Sequence, residues 1–63
     1  MLYNERVWVL IDEDGEVVTY FNTIKESFVY FRLFPDMREK YYATNLMRMI
    51  RMSRNELNEL LEN

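Results

Sequence analysis

The densest group of chemically useful side chains in this 63-residue sequence is Asp12-Glu13-Asp14-Gly15-Glu16. Clustered carboxylates are what hard cations take as ligands. An EF-hand loop, however, has glycine at its sixth position and glutamate at its twelfth, whereas here the glycine comes two residues early and no glutamate follows in register. A carboxylate pair can also run acid/base hydrolysis, but that requires a cleft and one member with a raised pKa. The Asp14-Gly15 pair marks a tight turn, and a solvated turn tip provides neither. Nucleophilic catalysis has only Ser27, Ser53, Thr19, Thr23 and Thr44 besides the tyrosines, and the chain contains no His or Cys to activate them. With one glycine there is no phosphate-cradling loop. The expectation is a non-enzymatic protein with no cofactor and no metal.

Cations offer a second chemistry. Lys40, Tyr41, Thr44, Asn45, Arg48 and Arg51 fall on one arc at 100° per residue. Such a face would track phosphates, so nucleic-acid binding through Lys40, Tyr41, Arg48, Arg51 and Arg54 is the alternative function. Residues 36–62 as a helix-turn-helix fit poorly, because the last helix would carry Glu56, Glu59 and Glu62 toward the DNA.

These residues must be positioned by a few short elements. Arg6–Ile11 and Glu16–Phe21 are β-branched and aromatic runs flanking the Asp14-Gly15 turn, which predicts a hairpin at about 5–22. A two-residue loop would place Val9 opposite Tyr20, Ile11 opposite Val18, Trp8 opposite Phe21 and Leu10 opposite Thr19. Thr23-x-x-Glu26 has capping-box spacing and predicts a helix over about 24–34, ended by Pro35. Pro35 and Asp36 suit the first turn of a second helix, read as 36–52, with Tyr42, Ala43, Leu46, Met49 and Ile50 as its core arc. Ser53-x-x-Glu56 opens a third, about 54–62, with Leu57, Leu60 and Leu61 as its stripe. The fold class expected is α+β, a two-stranded antiparallel hairpin followed by three short helices in a single small domain.

A chain this short buries only about 60% of its unfolded surface, and without Cys or His it has no disulfide or zinc to help. Its 49% hydrophobic content argues that it folds nonetheless. Both hairpin faces are apolar, Val7, Val9, Ile11, Val18 and Tyr20 on one and Trp8, Leu10, Val17 and Phe21 on the other. Either the helices wrap both, or a partner or second copy covers one. Met47 and Met52 fall outside the second helix's core arc, and methionine and aromatic side chains (Tyr3, Trp8, Tyr30, Tyr41) suit interfaces. The function expected is therefore a regulator or inhibitor that covers a site on a larger protein, using Trp8, Leu10, Val17, Phe21, Tyr41, Met47, Arg48, Arg51 and Met52. A homodimer or other homo-oligomer is a further alternative. No membrane span or basic signal-peptide start is seen, so the cytoplasm is the expected location.

Overall fold

The structure, a computed structural model, describes residues 5–62; Tyr3 lies outside them. Among the described residues the order is β1 (Arg6–Ile11), β2 (Val17–Phe21), α1 (Ile24–Leu33), α2 (Pro35–Ala43), β3 (Arg48–Ser53) and α3 (Arg54–Glu62). The α+β class is as expected, but the sheet has three antiparallel strands in the order β2-β1-β3.

The hairpin turn is wider than two residues. The Gly15 N–H donates to the Asp12 carbonyl at 3.0 Å, the Asp12 N–H donates to the Glu16 carbonyl at 3.0 Å, and Gly15 sits at φ +81°. This is a type I turn closed by a left-handed glycine with a bulge. Asp12 Oδ1 accepts from the N–H groups of Asp14 and Glu16, both at 2.9 Å, and so holds the turn together. The pairs Trp8–Phe21, Val9–Tyr20 and Leu10–Thr19 form as the sequence suggests, but Ile11 faces Val17 because the register slips at the bulge. The slip exchanges the two valines: Val17 packs against the cluster that contains Val9 and Ile11, and Val18 against the one that contains Leu10.

The helix expected over 36–52 stops at Ala43. Thr44 Oγ1 donates back to the Lys40 carbonyl at 2.7 Å, and Asn45 takes the left-handed conformation at φ 56°, a common helix stop. Arg48–Ser53 then extends along the free edge of β1, from Arg6 opposite Ser53 to Ile11 opposite Arg48. The physical reason lies in β1. Its buried backbone would otherwise have one edge without hydrogen bonds, and six paired residues outweigh the helix propensity of a Met/Arg run.

Each sheet face has its own core. Val7, Val9, Ile11 and Met52 meet Leu57 of α3 on one side, while Leu10 and Phe21 meet Phe31 of α1 and the loop residue Met47 on the other. The chain's own helices thus cover both faces, α3 on the first and α1 with α2 on the second. Ser27, buried on α1, donates its hydroxyl to the Ile24 carbonyl at 2.6 Å.

The two capping boxes differ. At α1 the Glu26 carboxylate accepts from the Asn22 N–H at 3.1 Å, one residue earlier than the box predicts, and Thr23 makes no side-chain cap bond. At α3 the box is complete: the Ser53 N–H donates to Glu56 Oε1 and the Glu56 N–H to Ser53 Oγ, both at 3.1 Å. The Ser53 N–H, then the Ser53 hydroxyl and the nearby Arg6 charge, hold the Glu56 carboxyl below its ordinary pKa. A lowered folded-state pKa stabilises the fold above the ordinary glutamate range and loses that contribution as pH falls below it. Ser53→Ala should cost about 1 kcal/mol at neutral pH. In urea titrations, Glu56→Gln should flatten the acid limb of the stability–pH curve, and an unchanged limb would contradict the box.

Candidate protein-docking surface

Helix α1 has more apolar side chains than its sheet-facing stripe can bury. Ser27 and Phe31 point into the core and Tyr30 is half-buried, but Ile24, Phe28, Val29 and Leu33 are 41 to 67% exposed. Pro35 forces the turn into α2 directly after them, and Phe34, at the joint, is 51% exposed. Helix α2 buries none of its residues completely; Met37 and Tyr41 pack partway into the Leu10 core, and Tyr42 stays 58% exposed.

Rings tie the two helices together and to the sheet. Tyr30 meets Phe21 edge-on at 5.4 Å and lies 4.8 Å from Phe34. Phe31 stacks on Tyr41 at 5.2 Å and meets Tyr42 edge-on at 5.8 Å. These separations and tilts are those at which ring quadrupoles attract. Between the helices this leaves a groove of about 460 Å³ lined by Phe28, Phe31, Arg32, Pro35, Arg38 and Tyr42. The Arg38 guanidinium lies over the Tyr42 ring, 5.5 Å from its centre. Among the described residues neither Arg32 nor Arg38 has a carboxylate partner. The groove is thus aromatic at its base, positively charged at its rim and set between two helices tied by ring contacts.

Residues singled out from the sequence are distributed differently. Leu10, Phe21, Met47 and Met52 are core residues and have no surface to offer a partner. A helix running through 36–52 would leave Met47 and Met52 outside its core arc; with that stretch a loop and β3, both turn inward. Trp8, Val17 and Tyr41 are half-buried, and the Arg51 guanidinium covers the Trp8 ring at 5.0 Å. The basic arc does not exist. Lys40 stays on α2, while Arg48 and Arg51 lie three residues apart on β3 and so face opposite sides of the sheet. Arg54 is already engaged, with Asn22 Oδ1 at 2.6 Å, Glu5 at 3.7 Å and the Tyr20 ring at 5.6 Å. Of the core arc assigned to the second helix, Tyr42 and Leu46 are exposed.

The Phe28–Arg32–Arg38–Tyr42 groove was not identified from the sequence. Its signal was present as the all-round apolar character of 24–34, which a helix packed on one face cannot use. The carboxylates of Asp12, Glu13 and Asp14 come within 4.8 Å of one another at the solvated turn, where Asp12 is occupied in holding the backbone. Among the described residues no helix is long and apolar enough to cross a membrane. No protein-family model, no curated protein and no solved structure matches the chain.

Proposed function

We propose that this chain is a non-enzymatic protein-binding module, a regulator or inhibitor that acts by laying the outer surface of α1 and α2 over a site on a larger protein. One observation carries the reading: Ile24, Phe28, Val29, Leu33, Phe34 and Tyr42 stand exposed on two consecutive short helices, beside a groove rimmed by Arg32 and Arg38. Large apolar patches of this kind on small soluble domains mark interaction sites. Aromatic and arginine side chains in a preformed hollow are the groups that dominate interface energies. Direct nucleic-acid binding has weaker support, since the cations assigned to it lie on separate surfaces.

The test is affinity capture from host lysate, nuclease-treated and untreated, with the tagged chain, alongside Phe28→Asp and Tyr42→Ala variants checked for native circular dichroism. A discrete protein should be retained by the wild type. Each substitution should weaken its binding by about 2 kcal/mol, roughly thirtyfold, as for interface anchors. Equal retention by all three would place the contact elsewhere, and retention only without nuclease would overturn the reading in favour of nucleic acid.

A further inference from the structure

The groove between α1 and α2 concentrates positive charge on a chain whose net charge is −3. Its rim carries Arg32 and Arg38, both exposed, and none of its lining residues is acidic. The carboxylates of the same two helices lie elsewhere: Glu26 accepts from the Asn22 N–H, and Asp36 and Glu39 take no part in the lining. Arg32 stands one turn beyond Phe28 on the same stripe of α1. Arg38 rests over the Tyr42 ring, a contact that positions the guanidinium and leaves its N–H donors for an acceptor. Two cations set beside aromatic rings thus lack the anions that would complement them.

Different occupants could bring those anions, and the surroundings choose among them. Nucleic acid is met by surfaces that are polar and strongly basic, whereas Arg32 and Arg38 sit among Phe28, Leu33, Phe34 and Tyr42, each more than half exposed. A helix lying in a bilayer presents an unbroken apolar face with lysines and arginines along the other side. Here the apolar residues surround a hollow of about 460 Å³, and a hollow takes a protruding side chain. A protein segment with a leucine or aromatic anchor beside Asp or Glu supplies both needs, because the anchor meets the rings and carboxylates match the fork of a guanidinium. We propose that the α1/α2 groove receives an acidic segment of the partner protein, one large apolar side chain entering the hollow and flanking carboxylates pairing with Arg32 and Arg38. This rests on the reading of the α1/α2 surface as the binding face, and it adds what the partner must carry. The acids of the Asp12–Glu16 turn and of α3 repel such a segment from other parts of the surface, which favours the groove as its landing place.

Selection of a phage-displayed library of random short peptides on the immobilised full chain tests this. Enriched sequences should carry a leucine or aromatic residue close to Asp or Glu, and should bind less tightly as salt rises. Arg32→Glu/Arg38→Glu should weaken a selected peptide about tenfold or more, and replacing the peptide's acids with Lys should restore binding to that variant. Arg32→Gln/Arg38→Gln should show part of the same loss, which makes the test independent of whether the reversed pair folds. Lys40→Glu/Arg48→Glu makes the same change in net charge outside the groove and should shift affinity by less than about threefold. Enrichment of uncharged or basic sequences, enrichment of none, or equal losses from groove and control pairs would overturn the proposal. If no acidic peptide is enriched and the arginine pair instead abolishes binding to phosphatidylserine vesicles, an oligonucleotide or a second copy, the groove belongs to that ligand. The protein captured from lysate separates this from the underlying reading. Its loss on Phe28→Asp with no effect of either arginine pair would remove the acidic segment and leave the docking surface, whereas indifference to Phe28→Asp would remove both.

Discussion

Phe31→Ala should remove about 3–5 kcal/mol of stability, as truncation of a buried phenylalanine does. At roughly 0.05–0.15 kcal/mol per residue, a domain of this size has only about 3–9 kcal/mol to lose. The effect is large because the Phe31 ring, buried against Leu10, Phe21 and Met47, also stacks on Tyr41 and meets Tyr42 and Tyr30 edge-on. Its removal empties the junction of sheet, α1 and α2 at once. Phe31→Leu keeps most of the volume and should cost less, about 1.5 kcal/mol or under. Urea unfolding followed by Trp8 fluorescence measures both. A Phe31→Ala loss below about 1 kcal/mol would mean that the rings collapse into the gap and that the two helices are not held by it.

Leu57→Ala should come next, at about 2–5 kcal/mol. Leu57 is the buried residue of α3 and its contact with the Val7, Val9, Ile11 and Met52 cluster. Shortening it loosens the helix that, among the described residues, covers that side of the sheet, so far-ultraviolet helix signal should fall and binding of a hydrophobic dye should rise before global unfolding. Leu60→Ala and Leu61→Ala, on exposed positions, should stay within about 0.5 kcal/mol of the wild type. If all three substitutions cost the same, α3 is not anchored through Leu57.

Much of this architecture is written locally in the sequence. The turn, the start of α1, the break at Pro35 and the capping box at Ser53 depend on residues within four positions of one another, and a sequence pattern sees that range. What it missed is set at a distance. Arg48–Ser53 has an apolar periodicity that fits a helix arc as well as a two-sided strand, and only the unpaired edge of β1 decides between them. Val17 and Val18 changed faces for a related reason: one left-handed glycine at φ +81° converts a two-residue loop into a bulged turn. Once β3 replaced the end of the second helix, the arc of cations dissolved and two surface methionines became core. The groove between α1 and α2 was legible only as a surplus, in that α1 has more apolar residues than one buried face can use. Where that surplus gathers depends on the angle at Pro35, which no spacing rule states.

The central position of β1 also has a consequence for synthesis. Its first edge is paired as soon as β2 follows, but its second edge and the cover for Val7, Val9 and Ile11 come from β3 and α3, after α1 and α2 have been made. At about 5–20 residues per second, translation leaves that edge open for on the order of seconds. During this interval the nascent chain presents an unpaired strand with an apolar face, the form that neighbouring chains on a polysome can pair with. Slow codons between α2 and β3 would lengthen the interval, and the yield of soluble protein should fall with them.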